Sequence, residues 1–293
     1  MRRILVALDG SSLSETILPV AEEWAKEDDA EVILLRAVLA DDRLLHDPDA
    51  AEVQVVGEVE AYLEAVAERL ERRGLTRVRR LVGHDEPATA IVETVRRDGV
   101  DLIAMATHGR SGLRRVLVGS VAEAVVRAVP VPVLLLRGQS AWKPWATGRI
   151  LVPLDGSEPS EAVLAVVERL AGPRDLTLSL LEVIEPFPAA AQARLTQLED
   201  LIAFRRAEAE RYLTKVAEPL VDKGVRVTWA VQYGRPAELI AAAAAEERAD
   251  LIAMATHGRR GLERLFFGSV AEAVLRNASV PVLLLRAASG TAS

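Results

Sequence analysis

The same string of ten residues occurs once in each half of this chain. It reads Asp-Leu-Ile-Ala-Met-Ala-Thr-His-Gly-Arg at 101–110 and again at 250–259. A second shared string, Gly-Ser-Val-Ala-Glu-Ala-Val, follows at 119–125 and at 268–274, with nine residues between the two glycines in each half. Most of the sequence on either side differs between the halves. The duplication predicts two domains of one fold, and the retained glycine-bearing segment indicates a retained site in addition to a core.

Length and composition agree with two domains. The 293 residues suit two units of ordinary size, each long enough to bury its own core. Half of the residues are hydrophobic and 27% are charged, which is typical of soluble globular proteins. Trp142, Pro144 and Trp145 interrupt the pattern of strands and helices around 138–148. We therefore predict a first domain over 1–140, a linker over 141–148 and a second domain over 149–293.

Composition also argues against several classes of protein. The sequence has no run of about 18 apolar residues and no cleavage site after its first strand, so we expect a cytoplasmic protein without a membrane span. The absence of cysteine excludes disulfides, thiolate metal sites and a cysteine nucleophile. A net charge of −7 argues against binding to nucleic acid, which usually requires a basic face. An anionic ligand would have to be held by local donors.

Short apolar runs with β-branched residues predict five strands in each half. They lie at 4–8, 32–35, 78–82, 102–106 and 131–136, and at 150–154, 176–181, 225–231, 251–255 and 280–285. Several are apolar at nearly every position, which indicates parallel strands covered on both faces by helices. The alternation of strands and helices predicts an α/β fold with a five-stranded doubly wound sheet in each half. In the first helix, Pro19 predicts a kink, and Ser11 and Ser12 are capping candidates.

Polar and glycine residues cluster where strands 1 and 4 of this fold end. Ligands of doubly wound sheets bind beyond the carboxyl ends of the strands, at the point where the strand order reverses. Strand 1 is followed by Asp-Gly-Ser at 9–11 and 155–157, and strand 4 by the His-Gly-Arg loop and then Gly-Ser at 119–120 and 268–269. A helix N-terminus approached through glycines binds anions with its free N–H groups. This pattern predicts a site for a nucleotide phosphate.

Side chains near these glycines suit the same ligand. The hydroxyls of Ser120 and Ser269 are further donors to phosphate, and the arginines that follow the His-Gly pairs provide countercharge. The carboxylates of Asp9 and Asp155 suit a ribose hydroxyl or a magnesium ion. These arginines are Arg110, Arg114, Arg115, Arg259, Arg260 and Arg264.

The strand order, the Asp-Gly-Ser after strand 1 and the spacing from His-Gly to Gly-Ser together resemble the universal stress protein family in its tandem two-domain form. The resemblance covers about residues 1–137 and 148–287. It implies two Rossmann-like domains of the adenine nucleotide alpha hydrolase type. In the nucleotide-binding branch of that family, a Gly-x-x-Gly, nine residues, Gly-Ser/Thr loop holds the phosphates and ribose of ATP.

The resemblance assigns ligand contacts to this chain by position. The strand 1 aspartate of the family corresponds to Asp9 and Asp155, and a backbone contact to adenine corresponds to Ala37 and Val183. The full set of implied contacts is Asp9, Ala37, Ala106, His108, Gly109, Arg110, Gly119, Ser120 and Val121 in the first half, and Asp155, Val183, Ala255, His257, Gly258, Arg259, Gly268, Ser269 and Val270 in the second. Alanine replaces the first glycine of the family loop in both halves, a departure that favours weaker binding.

Structural explanations compete with these assignments. The Asp-Gly-Ser segment also suits a turn that caps the first helix. His108 and His257 suit a role in orienting the loop, with their backbones near the ligand, and His46 and His84 lack the spacing of metal ligands. The arginines also suit a solvated surface. Gly119 and Gly268 also suit tight helix packing, although the serine after each favours binding.

The function that these residues favour is a regulatory protein of the stress response with one adenine-nucleotide site in each half. The ligand is ATP or another adenine nucleotide, with or without Mg²⁺. Binding is better supported than catalysis, because the sequence lacks the Gly-x-x-x-x-Gly-Lys-Ser/Thr of P-loop enzymes and the Gly-x-Ser-x-Gly of hydrolases. Two alternatives stay open: a slow ATPase or phosphotransferase, and a nucleotide-free interaction module favoured by Ala106 and Ala255.

The resemblance also bears on assembly, and the two halves differ in charge. Family members commonly dimerise through their last strand, which implies an intramolecular pseudo-dimer of the two domains and leaves a homodimer of chains open. Before the third helix, the first half has Asp85 and Glu86 where the second has Gly234 and Arg235. This difference predicts tighter nucleotide binding in the second half.

Overall fold

Strands and helices alternate along the part of the chain that the structure describes. The computed structural model describes residues 1–38, 48–107, 119–137, 145–171, 175–187, 198–256 and 268–286, with the backbone alone for 48–53. The chain divides into two compact units, Met1–Pro144 and Trp145–Ser293.

The first unit contains five strands and four α-helices among its described residues. In chain order these are β1 (Arg3–Leu8), a 3₁₀ helix (Ser14–Ile17), α1 (Leu18–Asp28), β2 (Glu31–Ala37), α2 (Pro48–Arg72), β3 (Val78–Gly83), α3 (Pro87–Asp98), β4 (Leu102–Thr107), α4 (Ser120–Ala128) and β5 (Val133–Arg137). The strands are parallel and lie in the order β3-β2-β1-β4-β5. The strand order reverses between β1 and β4.

The second unit repeats this arrangement. Its described elements are β6 (Arg149–Leu154), α5 (Glu158–Glu161), α6 (Leu164–Ala171), β7 (Thr177–Ile184), α7 (Leu198–Asp222), β8 (Arg226–Tyr233), α8 (Pro236–Glu246), β9 (Leu251–Ala255), α9 (Ser269–Asn277) and β10 (Val282–Leu285). The parallel strand order is β8-β7-β6-β9-β10, so the reversal lies between β6 and β9. The predicted doubly wound α/β fold is confirmed in both units.

Aliphatic side chains on the central strands form the core of each unit. Ile4, Leu5, Leu102 and Ile103 are fully buried in the first unit, and the same is true of Ile150, Leu151 and Ile252 in the second. Helices cover both faces of such a sheet, which explains why these strands are apolar at successive positions. No helix within the described residues is long and apolar enough to cross a membrane.

Proline explains two differences from the predicted elements. Pro19 occupies the first turn of α1, after the 3₁₀ helix, so the predicted kink inside the first helix is wrong. This position tolerates proline because its missing N–H has no helical acceptor there. The last strand of each unit begins two residues later than predicted, at Val133 and Val282. Each follows a proline, which cannot donate to a neighbouring strand.

Candidate functional site

The strand reversal brings the Asp-Gly-Ser turn and the end of β4 to one edge of the first sheet. Ala7 of β1 is paired with Met105 of β4, so Asp9 and Thr107 follow at the same carboxyl edge. The second unit places Asp155 and Thr256 in the same relation, after β6 and β9. Ligands of this fold bind at such an edge.

Asp9 organises a turn through hydrogen bonds to Ser11. One carboxylate oxygen of Asp9 accepts from the backbone N–H of Ser11 at 2.8 Å and from its hydroxyl at 2.6 Å. Gly10 between them has φ +86°, a conformation that glycine adopts without strain. The hydroxyl of Ser11 accepts from the N–H of Ser14 at 3.1 Å, where the 3₁₀ helix begins. The structural explanation of this segment as a turn therefore holds for one carboxylate oxygen of Asp9. Ser11 accepts from the first N–H of the 3₁₀ helix, although the N-cap residue of that helix is Leu13.

The second unit repeats the same hydrogen bonds. Asp155 accepts from the N–H of Ser157 at 3.1 Å and from its hydroxyl at 2.5 Å, and Ser157 accepts from the N–H of Ser160 at 3.3 Å. In both units a further serine, Ser14 or Ser160, closes the turn. Its hydroxyl donates to the carbonyl of Ser11 or Ser157, respectively. Sequence reasoning missed these two serines. Their signal is the repeated spacing Asp-Gly-Ser-x-x-Ser-Glu.

Helices α4 and α9 begin at the same carboxyl edge. Ser120 and Ser269 are their first residues, are solvent-exposed, and follow the N-cap residues Gly119 and Gly268. Neither N-cap provides a side chain that caps the helix. The first N–H groups of a helix have no acceptor within it, so both ends suit an anion. Val121 and Val270, the next helical residues, are half-buried.

The remaining predicted contacts of the described chain lie on strands. Ala37 ends β2, where it is paired with Gly83, and Val183 lies one residue before the end of β7. Ala106 is half-buried near the end of β4, and Ala255 is 9% exposed at the end of β9. All four belong to the carboxyl half of their strands, as the predicted site requires.

Six predicted contacts lie outside the described residues. They are the three residues that follow Thr107 in the first unit and the three that follow Thr256 in the second: His108, Gly109, Arg110, His257, Gly258 and Arg259. The other arginines of the two loops and the first four residues of the predicted linker, 141–144, lie outside as well.

The repeated ten-residue string begins at the opposite edge of the sheet. Asp101 accepts from the N–H groups of Arg2 and Arg3 at 2.6 and 3.0 Å. Asp250 accepts from the N–H and hydroxyl of Thr147, each at 3.0 Å, and from the N–H of Arg149 at 3.2 Å. These aspartates tie the start of strand 4 of each unit to the start of strand 1. A strand rises about 3.3 Å per residue, so they lie roughly 20 Å from the candidate site.

A half-buried tyrosine with a buried hydroxyl packs beside each turn. The hydroxyl of Tyr62 is buried and lies close to Glu15 and Ser14, although it forms no hydrogen bond to any described residue. Burial, and then the nearby charge of Glu15, raise the pKa of Tyr62. Tyr212 repeats this environment beside Glu161 and Ser160, and its pKa is raised for the same reasons. Both tyrosines are neutral at physiological pH.

The described residues contain no group of three or more His, Asp or Glu side chains that could hold a metal ion. Each carboxyl edge therefore presents an aspartate turn, the N-terminus of a helix and the ends of apolar strands. This arrangement suits an anionic ligand with an apolar part.

Comparison with known proteins finds a family whose profile matches both units of the chain. The profile of the universal stress protein family matches residues 1–137 and 147–286. A universal stress protein of Methanocaldococcus jannaschii is 30% identical over 153 residues, which are 52% of this chain and 87% of that protein.

One solved structure shares this fold. A universal stress protein of Archaeoglobus fulgidus superposes with a TM-score of 0.75 at 23% identity, covering 98% of each chain. A universal stress protein solved in complex with cAMP aligns with 47% of this chain and 97% of its own length, at 23% identity and a TM-score of 0.37.

Proposed function

The chain belongs to the universal stress protein family, and we propose that each of its two domains binds an adenine nucleotide at the carboxyl edge of its sheet. The nucleotide is ATP or a related adenine nucleotide, and its binding regulates the protein in the stress response. The observation that carries this proposal is the duplicated juxtaposition of the aspartate turn and the helix N-terminus at the point of strand reversal.

The chemistry of the edge supports a phosphorylated ligand. Unpaired N–H groups and the positive end of the helix dipole at Ser120 and Ser269 favour phosphate, and the exposed hydroxyls can donate further hydrogen bonds. The chain carries a net charge of −7, so these local donors supply the attraction that the overall charge does not.

The aspartate turns support a ribose beside that phosphate. A carboxylate accepts hydrogen bonds from sugar hydroxyls, and the Asp-Gly-Ser backbone brings Asp9 and Asp155 to the same edge as the helix N-termini. The bonds from Ser11 and Ser157 hold each carboxylate in one orientation, and a preorganised acceptor costs less entropy when a ligand binds. Mg²⁺ would accompany the phosphates of ATP in solution, and no step of the proposed binding depends on it.

Binding and regulation are favoured over catalysis. Hydrolysis requires a positioned base beside the attacking water. In the described residues, one carboxylate oxygen of Asp9 and one of Asp155 each accept two hydrogen bonds within the turn. This arrangement suits a carboxylate that positions a ligand better than one that removes a proton from water.

Identification of co-purified nucleotide tests the proposal directly. We expect adenine nucleotide to be released when the freshly purified chain is denatured, at up to two molecules per chain as counted by mass spectrometry. Calorimetry on the emptied protein should then detect ATP binding with the same stoichiometry. A chain that releases no nucleotide and binds neither ATP, ADP nor AMP would contradict the proposal and favour an interaction module of the same fold.

A further inference from the structure

Arg36 and Glu182 occupy equivalent positions in the two domains and carry opposite charges. Arg36 is paired with Leu8, the last residue of β1, and Glu182 is paired with Leu154, the last residue of β6. Each is therefore the residue of the second strand that lies beside the start of the aspartate turn. The two domains share the turn, the serines and the tyrosine around this position, and differ in the sign of its charge.

The guanidinium group of Arg36 is held against the turn of the first domain. A Cβ placed on Gly10 would lie 2.7 Å from Cζ of Arg36 and within 2.9 Å of both terminal nitrogens, so the group packs directly on the glycine. Cζ of Arg36 also lies 5.0 Å from the centroid of the Tyr62 ring, a cation–π contact. Glycine at position 10 allows this close approach.

Packing fixes Arg36 without neutralising its charge. Within the described ranges, Arg36 forms no hydrogen bond and no ion pair with a carboxylate. Its side chain is half-buried, so it also reaches solvent. A guanidinium group with five N–H donors, held at the edge where the proposed ligand binds, is suited to a further anionic group of that ligand.

Glu182 gives the second domain the opposite preference. Glu182 is 8% exposed, and its negative charge lies close to Tyr212. A carboxylate with little access to water accepts hydrogen bonds from hydroxyls and repels phosphate strongly, because the local dielectric is low.

General properties of doubly wound folds indicate which part of the ligand these residues would contact. In dinucleotide-binding folds with the core strand order that both domains share, a carboxylate about 20 residues beyond the glycine-bearing turn after strand 1 binds the ribose hydroxyls, and an arginine nearby accommodates a ribose 2′-phosphate. Arg36 and Glu182 each lie 26 residues beyond the glycine of their turn, near the carboxyl end of the second strand. We propose that the two domains select different adenine nucleotides: the second takes nucleotides with free ribose hydroxyls, and the first prefers an additional phosphate on the ribose. This inference rests on the proposed function.

Two probes that differ only at the ribose test this selectivity in the full chain. Adenosine 5′-monophosphate and adenosine 2′,5′-bisphosphate are titrated by calorimetry into the wild-type chain and into Arg36→Gln, Arg36→Lys and Glu182→Gln. Arg80→Gln is the matched control, because this substitution removes the same charge at a different place. Arg80 lies on β3 and pairs with Glu64 at 2.9 Å.

We expect the bisphosphate to occupy the first domain of the wild-type chain. Arg36→Gln should weaken bisphosphate binding about tenfold or more while changing monophosphate binding less than about twofold, since a hydrogen bond to a charged group is lost. Arg36→Lys should retain most of the preference, and Glu182→Gln should admit bisphosphate to the second domain. Arg80→Gln should change the ratio of the two affinities by less than about twofold.

The outcomes separate this inference from the proposed function. The chain could bind the monophosphate while Arg36→Gln and Glu182→Gln leave the ratio of bisphosphate to monophosphate affinity unchanged. That result would overturn the proposed selectivity and leave the proposed nucleotide sites standing. A wild-type chain that binds neither probe nor ATP would overturn both.

Discussion

The carbonyl oxygen of Thr256 lies so close to Gly268 that a Cβ on this glycine would clash with it. The glycine has φ +69°, in the left-handed region that other residues rarely adopt. It precedes α9, so the chain that leaves β9 returns to contact the end of the same strand before the helix begins. Helix and strand end are thereby held together at the candidate site. This contact also supports the structural explanation of Gly268 that the sequence left open.

Gly268→Ala should destabilise the second domain, and Gly119→Ala should have little effect. The backbone of Gly119 has φ −53°, which any residue adopts. We expect a loss of about 2–3 kcal/mol for Gly268→Ala, from the unfavourable φ and the contact with Thr256, and less than about 1 kcal/mol for Gly119→Ala. Thermal and urea unfolding of both variants measure this. Equal losses would show that the two helix starts are alike.

Ser120→Asp and Ser269→Asp should impair nucleotide binding without impairing folding. An aspartate in the first turn of a helix interacts favourably with the dipole, whereas its charge repels a phosphate at the same place. We expect the Kd for ATP to rise about tenfold or more at the altered site, with no loss of thermal stability.

The asparagine variants are the matched controls for this experiment. Ser120→Asn and Ser269→Asn introduce a side chain of the same size without charge, so they should change the Kd by less than about fivefold. Equal effects of asparagine and aspartate would mean that bulk, and not charge, decides binding at the helix N-terminus.

Replacing Asp155 by alanine should destabilise its turn more than replacing it by asparagine. The side-chain oxygen of asparagine can still accept the hydrogen bonds from the N–H and hydroxyl of Ser157, whereas alanine leaves both donors without this acceptor. We expect Asp155→Ala to cost about 1–2 kcal/mol in urea unfolding and Asp155→Asn less than about 1 kcal/mol. If both variants lose the same stability, the negative charge rather than the acceptor stabilises the turn.

Asp250→Ala should reduce stability while leaving nucleotide affinity unchanged. The carboxylate accepts from Thr147 and Arg149 at the edge of the sheet opposite the candidate site. Its removal leaves donors of Thr147 and Arg149 without the buried acceptor that pairs with them, and we expect a loss of about 1–3 kcal/mol. Calorimetry with ATP on the folded variant should give a Kd within about twofold of the wild type. A much larger change in Kd would show that the two edges are coupled.

Tyr62 and Tyr212, whose hydroxyls are buried, should make the chain less stable at alkaline pH. Their pKa values are raised above the ordinary 10.0, so above that pH the unfolded chain loses protons that the folded chain keeps. Because the unfolded state then binds fewer protons, the free energy of unfolding falls as the pH rises beyond about 10. Urea unfolding between neutral pH and pH 11 measures this slope.

Tyr62→Phe combined with Tyr212→Phe should flatten that slope. Phenylalanine fills the same space, and neither hydroxyl has a hydrogen bond to lose within the described residues, so stability at neutral pH should change little. An unchanged alkaline slope in the double variant would mean that other groups cause the loss.

The structure indicates that the charge difference before the third helix has only a small effect on nucleotide binding. Arg235 is exposed and pairs with Glu238 on its own helix at 3.0 Å. An exposed pair of this kind is screened by solvent and salt, so it contributes little attraction to a distant phosphate. The prediction of tighter binding in the second domain therefore rests on a weak interaction.

The repeated strings, the apolar strands and their alternation with helices were sufficient to predict the fold and the elements that meet at the proposed site. These features are local, because residue spacing alone determines which faces of a strand or helix are apolar. The position of Asp9, of Ser120 and of their counterparts at the carboxyl edge followed from the order of elements along the chain.

Tertiary structure decided what spacing does not encode. It showed that the repeated string begins with an aspartate that ties two strand starts together, at the edge opposite the proposed site. It brought Arg36 against Gly10 and Tyr62, residues distant in sequence whose contact depends on the packing of β1, β2 and α2. It also placed Thr256 against Gly268, which gives that glycine a steric requirement. The sequence determined the elements and their order, whereas these contacts arise only when the elements pack, because close packing joins residues that spacing keeps apart.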